Sequence, residues 1–142
     1  MNKSNTIQAA WFTKIITCEI GSLLAGYGPH DVSTSKLDEL EANGLCLDDG
    51  ERKVLIVSLD LLGINEDALK PMRARLAKIL GVPDAAVMFS CTHTHGGPCT
   101  RWTIKRDAQS IRKMPADPKY LAFLSDALAE AVMELRDRGD WR

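Results

Sequence analysis

Val54-Leu55-Ile56-Val57-Ser58-Leu59-Asp60 and Ala86-Val87-Met88-Phe89-Ser90-Cys91 are two apolar stretches separated by a segment with helical periodicity. Asn65 is a plausible N-cap for that helix, and Gly81 should end it. Its apolar residues recur every three or four positions, at Leu69, Met72, Leu76, Ile79 and Leu80. A helix between two buried strands fits a right-handed β-α-β crossover with parallel strands. The second stretch is typical of a strand that is buried on both faces.

Further elements flank this unit. Residues 11–20 are rich in aromatic and β-branched side chains, which predicts a strand. Asp48-Asp49-Gly50-Glu51 indicates a hairpin, because Asp-Gly accepts the positive φ angles of tight turns. Asp117-Pro118 predicts the start of a last helix, and residues 21–35 and 96–116 are expected to be loops. The predicted fold class is α/β, with a mixed β-sheet, one β-α-β crossover and a C-terminal helix.

The composition is that of an ordinary globular domain. The chain has 142 residues, of which 45% are hydrophobic and 26% charged. A net charge of -1 gives no sign of nucleic acid or an anionic membrane as a partner. No apolar run approaches the roughly 20 residues of a membrane helix, and no secretory signal is seen at the start. A cytoplasmic location is therefore expected, and the oligomeric state is not indicated.

His93-Thr94-His95 brings together two of the three histidines in the chain. Residues i and i+2 of a strand project from the same face, so the two imidazoles could converge on one ion. Ligand sites in open α/β sheets gather at the carboxyl ends of strands, where this pair stands. Gly96-Gly97-Pro98 then lets the backbone turn sharply and approach a ligand closely. Two interpretations stay open: a metal site, or two polar residues that close a strand at the surface.

The four cysteines form no Cys-x-x-Cys pair. Cys18 and Cys46 lie in apolar runs and are expected to be buried. A closed zinc site is a further alternative, built from Cys91, His93, His95 and Cys99. It is disfavoured, because alternate residues of a strand are about 6.6–6.8 Å apart and three in a row could not reach one tetrahedral ion.

The segment Ser90-Cys91-Thr92-His93-Thr94-His95-Gly96-Gly97-Pro98 resembles the Gly/Ala-Thr-His-Thr-His-Ser-Gly-Pro signature of the neutral/alkaline ceramidases. Residues 20–28 are similar to the Gly-Tyr loop of that family, and residues 47–50 and 57–63 resemble its next two blocks. The similarity runs in order from about residue 11 to residue 135. The His-Thr-His-x-Gly-Pro block is its most specific part.

This resemblance implies a zinc-dependent amide hydrolase. His93 would be a zinc ligand, and His95 would lie beside the zinc as a catalytic or hydrogen-bonding group. The family hydrolyses the amide of N-acylsphingosines with a zinc-activated water, so the implied substrate is a small, lipid-like amide. The family's other ligands, a second His, a Glu and a Tyr, lie well downstream. Residues 1–142 are therefore expected to be the N-terminal part of a larger catalytic domain.

The chain departs from the family pattern at several positions. Gly96 stands where Ser is common, and Cys99 stands where a further Gly is common. Many members carry a His where residues 36–40 read Lys-Leu-Asp-Glu-Leu. These differences affect the expected substrate more than the expected fold.

Other polar features of interest are Asp60, His30 and the basic loop after the motif. Asp60 either supports a metal ligand or makes an ordinary strand-end turn. His30 lies in a loop rich in Gly and Pro and is expected to be exposed. The loop after the motif is basic, which suits an anionic or headgroup-bearing substrate or simply a solvated surface. Its cationic residues are Arg101, Lys105, Arg106, Arg112 and Lys113.

Two other functional classes remain possible on the sequence. The chain could be a non-catalytic α/β module or a truncated product, because it has only three histidines. An amidohydrolase barrel also uses His-x-His at a strand end, but it needs many more βα units than this chain offers. Because a catalytic zinc normally has three protein ligands, the isolated chain is expected to be inactive and to bind zinc weakly.

Overall fold

The structure is a computed structural model that describes residues 6–27, 31–101, 103–106, 111–114, 116–138 and 141–142, with 103–106 and 111–114 as backbone only. Its elements in chain order are β1 (Gln8–Ile15), β2 (Glu41–Asp48), β3 (Lys53–Leu59), α1 (Glu66–Leu80), a 3-10 turn (Asp84–Ala86), β4 (Val87–Cys91), β5 (Thr103–Arg106), β6 (Ile111–Met114) and α2 (Pro118–Asp137).

The main sheet has four strands in the order β1-β2-β3-β4. β2 is antiparallel to both β1 and β3. β4 is parallel to β3, with Leu55 opposite Val87 and Leu59 opposite Cys91, and α1 connects the two strands. The predicted mixed sheet, β-α-β crossover and C-terminal helix are therefore confirmed.

Local signals for turns and helix ends are mostly confirmed. Gly50 has a φ of 86° in the hairpin, and the Asp49 carboxylate accepts the backbone N–H of Arg52 at 2.6 Å. Gly81 ends α1 with a φ of 69°. The Asp117 side chain caps α2 by accepting backbone N–H groups. Asn65 is the N-cap residue of α1, but its side chain makes no capping hydrogen bond.

Both helices contribute to one core on a single face of the sheet. Successive side chains of a strand alternate between faces, and one alternate set is buried. That set comprises Ala10, Phe12, Ala42, Cys46, Leu55, Val57, Leu59 and Val87. It belongs to the same cluster as Met72 and Leu76 of α1 and Leu124, Leu128 and Val132 of α2. Sheet and helices therefore form two layers.

The other face of the sheet carries an apolar row. Trp11, Leu45, Ile56 and Met88 stand opposite one another across the four strands. Trp11 and Met88 are each 55% exposed. In β4 only Val87 is buried, so the prediction of a strand buried on both faces is wrong. The physical reason is that β4 is an edge strand of the described sheet and has helices on one side only.

Three further expectations need correction. β1 spans Gln8–Ile15 rather than residues 11–20, and the chain leaves the sheet at Ile16. The segment 96–116, expected to be a loop, contains the antiparallel pair β5–β6. Each of these strands has only four residues, too few for an alternating pattern to be distinguished. Cys46 is buried as expected, whereas Cys18 is half-buried.

None of the helices in the described ranges is long and apolar enough to cross a membrane.

Candidate functional site

The two motif histidines lie just beyond the carboxyl end of β4. The ladder between β3 and β4 continues past Cys91, because the Thr92 N–H donates to the Leu59 carbonyl at 3.0 Å. The His93 N–H donates to the Leu61 carbonyl, also at 3.0 Å. These two bonds fix the backbone of the motif against the end of β3. The carboxyl ends of two parallel strands therefore present His93 at one edge of the sheet.

His93 adopts a left-handed backbone conformation with a φ of 68°. Among the described residues it is the one non-glycine residue with a positive φ. Such a conformation costs about 1–3 kcal/mol and persists where the surrounding structure enforces it, which is common at functional sites. The strand alternation that was expected to bring the imidazoles together does not apply, because β4 ends at Cys91.

The two imidazoles nevertheless meet. The ring centroids of His93 and His95 are 5.5 Å apart with an interplanar angle of 63°. Both residues are exposed, so a ligand can reach them from solvent. The expected proximity is confirmed, but the left-handed turn at His93 produces it rather than an extended strand.

A second segment lies against the motif from residues 23–27. Leu24 forms an antiparallel bridge with Pro98. The Ala25 N–H donates to the Gly97 carbonyl at 3.0 Å, and the Cys99 N–H donates to the Leu23 carbonyl at 2.9 Å. This pairing brings Tyr27 to His95, with ring centroids 5.6 Å apart and an interplanar angle of 75°. Sequence reasoning did not single out Tyr27 as a neighbour of the histidines, although it lies in the Gly-Tyr loop.

Gly96-Gly97-Pro98 was expected to let the backbone approach a ligand closely. At Gly97 the backbone instead approaches another part of the chain, because a Cβ there would lie 3.3 Å from the Asp60 carbonyl oxygen. Gly97 and Pro98 are buried. The next residues are buried as well, and the Thr100 hydroxyl donates to the Gly63 carbonyl at 2.6 Å. The segment that follows the histidines is thus fastened to the connection between β3 and α1.

The side chains of Asp60 and Cys99 form hydrogen-bonding contacts with backbone atoms. The Asp60 carboxylate accepts the backbone N–H of Glu41 at 3.0 Å, which favours the interpretation as a strand-end turn. The Cys99 thiol is buried and lies 3.4 Å from the Arg101 carbonyl oxygen. Cys91 is half-buried, and burial raises the pKa of its thiol. The Cys99 thiol thus contacts the backbone of its own segment.

The remaining candidates are only partly within the described residues. His30 lies outside them. Lys105 and Arg112 are opposite each other in the β5–β6 backbone register, and Ile104 is opposite Lys113. The basic character of this hairpin stays a sequence-based prediction.

Two neighbouring imidazoles are the metal-ligating groups that this site presents. Their centroid separation of 5.5 Å and interplanar angle of 63° are also those of an ordinary edge-to-face ring contact. Within the part of the chain that the structure describes, no three His, Cys, Asp or Glu side chains come together to hold a metal. A complete site would need ligands beyond this pair.

Sequence comparisons identify no relative of this chain. No known protein family matches it. No curated protein matches it either.

Comparison with solved structures does find similar folds. The crystal structure of neutral ceramidase from Pseudomonas aeruginosa superposes with a TM-score of 0.75 at 19% sequence identity, over 96% of this chain and 22% of that chain. A structure described as ceramidase complexed with C2 superposes with a TM-score of 0.73 at 19% identity, over 93% of this chain and 21% of that one. The chain thus spans about a fifth of the length of these enzymes. Its mixed four-stranded sheet with two helices is the fold of a part of neutral ceramidase.

Proposed function

We propose that this chain is part of a ceramidase-like hydrolase in which His93 binds a catalytic zinc ion and His95 assists the reaction beside it. The main support for this proposal is the His93–His95 pair, whose ring centroids are 5.5 Å apart at the carboxyl ends of two parallel strands. The ceramidase-like fold around the pair and the His-Thr-His-x-Gly-Pro sequence support the same conclusion.

The surroundings of the two histidines support these proposed roles. A bound zinc would supply an activated water and a polarised carbonyl. His93 is held at its backbone by the Leu61 carbonyl, so a ring nitrogen would serve as a metal ligand from a fixed point. His95 is exposed beside it and can hold or release a proton at a ring nitrogen. Amide hydrolysis needs a proton for the departing amine, which is the role proposed for His95.

The proposed substrate is a small amide with a lipid-like acyl chain. The two fold neighbours are ceramidases, and one of them is described as complexed with C2. The open surface around both imidazoles leaves room for a substrate to approach. The other zinc ligands would come from outside the residues described here.

The experiment is a hydrolysis assay on the purified protein that contains this chain, with zinc content measured alongside. Ceramides, N-acyl amino acids and simple esters would be compared as substrates. His93→Ala should remove both zinc and turnover. His95→Ala should retain zinc and lose about 10²–10⁴-fold in rate, the usual contribution of a general acid or base.

His30→Ala is the matched control, because it removes the third histidine of the sequence without touching the motif. It should leave zinc content and turnover unchanged. Unchanged zinc stoichiometry in His93→Ala would count decisively against the proposed ligand. The coding sequence beyond Arg142 gives a cheaper test: an open frame with a further His, Glu and Tyr favours the enzyme, and an immediate stop favours a non-catalytic module.

A further inference from the structure

The ring of His95 lies directly against the backbone of Gly26. Gly26 has a φ of 87°, a conformation that L side chains rarely adopt. A Cβ at this position would lie 2.7 Å from Cε1 of His95 and 3.0 Å from Cγ, and closer still to Nδ1. The imidazole therefore occupies the space that any other side chain at residue 26 would need.

The segment that carries Gly26 is held firmly in place. Ala25 is fully buried, and its N–H donates to the Gly97 carbonyl at 3.0 Å. The Leu24 N–H donates to the Asp31 carbonyl at 2.8 Å. Residues 23–25 are paired with residues 97–99, so the loop is hydrogen-bonded directly to the segment that follows the histidines.

Two aromatic rings complete the surroundings of the His95 imidazole. Tyr27 meets it edge-on at 5.6 Å, and His93 meets it at 5.5 Å. The three ring atoms nearest to Gly26 are Nδ1, Cε1 and Cγ, so Gly26 lies against the face of the ring at Nδ1. An imidazole with backbone against its face and rings beside it has few orientations open to it.

We infer that Gly26 and Tyr27 form a positioning element for His95, which fixes the plane of its imidazole against the loop. Gly26 acts by having no side chain, and Tyr27 acts through its ring. Neither residue is assigned a part in the chemistry. That the fixed imidazole serves hydrolysis rests on the proposed function, whereas its orientation is a property of this chain alone.

The test is NMR of the imidazole signals in the full 142-residue chain. Spectra of His93→Ala and His95→Ala assign the rings. In the wild type we expect cross-relaxation between the His95 and Tyr27 rings. Gly26→Ala should abolish that signal and shift the His95 ring resonances, because the new methyl group displaces the ring.

Gly50→Ala is the matched control for Gly26→Ala. Gly50 has a φ of 86°, almost the same as Gly26, but a Cβ there would meet nothing within 4 Å. Both substitutions impose the same backbone strain, and only Gly26→Ala adds the collision with His95. The His95 signals should be unchanged in Gly50→Ala. Equal shifts in both variants, or none in a folded Gly26→Ala, would overturn the inference.

Tyr27 gives a second, independent test if Gly26→Ala fails to fold. Tyr27→Ala should shift the His95 ring signals and broaden them as the ring gains freedom, and Tyr27→Phe should restore the wild-type pattern. Tyr27 is 48% exposed, so neither change is expected to unfold the chain. Wild-type His95 signals in Tyr27→Ala would contradict a positioning role. A zinc titration of the same samples separates the positioning of His95 from the proposed metal site. If the wild-type imidazole signals do not respond to zinc, the metal site is refuted, whereas the ring contacts of His95 are unaffected.

Discussion

Replacement of Tyr120 by phenylalanine tests the hydrogen bond that connects α2 to Ile16, just after β1. Tyr120 is 5% exposed, and its hydroxyl donates to the Ile16 carbonyl at 2.6 Å. Phenylalanine keeps the ring and opens no cavity, so the change isolates one buried hydrogen bond. A buried acceptor left without its partner costs about 1–3 kcal/mol. We expect Tyr120→Phe to lower the free energy of unfolding at pH 7 by that amount.

The same bond predicts a dependence on pH. Burial, and then the nearby Cys18, raises the pKa of Tyr120 above its ordinary value of about 10. Above pH 10 the unfolded chain releases the phenolic proton while the folded chain keeps it. The unfolded state then binds fewer protons, so this contribution to stability falls as the pH rises. Phenylalanine has no such proton, and the stability gap between the two proteins should narrow above pH 10.

Urea unfolding followed by circular dichroism, at pH 7 and at about pH 11, measures both effects. Tyr27→Phe is the control, because Tyr27 is 48% exposed. Its stability should change by no more than about 0.5 kcal/mol. If Tyr120→Phe is as stable as the wild type at pH 7, or if the gap stays constant with pH, the assignment of this hydrogen bond is refuted.

Two further predictions concern the stability of the sheet at Gly44 and of the N-termini of the two helices. A Cβ at Gly44 would lie 2.7 Å from Cδ1 of Phe12, so Gly44→Ala should destabilise the chain by about 1–3 kcal/mol. Adding Phe12→Leu should recover part of that loss in the same denaturation assay, and simple additivity of the two changes would contradict the collision. Asp117→Ala should cost about 1 kcal/mol by removing the cap of α2. Asn65→Ala should cost clearly less, because the Asn65 side chain makes no capping bond, and equal losses would refute the assignment.

Features that depend on a few neighbouring residues could be predicted from the sequence. The hairpin at Gly50, the end of α1 at Gly81 and the cap of α2 at Asp117 each follow from local chemistry. The β-α-β crossover was also predictable, because few other arrangements suit a helix between two apolar strands. These elements account for the mixed sheet and for the position of the histidine motif at its edge.

Features that depend on distant pairing could not be predicted. The apolar sequence of β4 gives no sign that Met88 faces away from the helices, since that depends on which strands lie beside it. The proximity of His93 and His95 was expected for the wrong reason, because the left-handed backbone of His93 has no sequence signal. The contact of Tyr27 with His95 arises from pairing between segments about 70 residues apart, which local patterns do not reveal.

Zinc titration of the 142-residue chain, followed through its imidazole NMR signals, tests most directly whether His93 and His95 act as a pair at a metal. The signals of both rings should change together, the third histidine should not respond, and His93→Ala should abolish the response. Binding should be weak, because a catalytic zinc normally has three protein ligands and this pair offers at most two. Unaltered zinc binding in His93→Ala would contradict the proposed site. Tight one-to-one binding with amide hydrolysis by the chain alone would contradict the expectation that the site needs ligands beyond this pair.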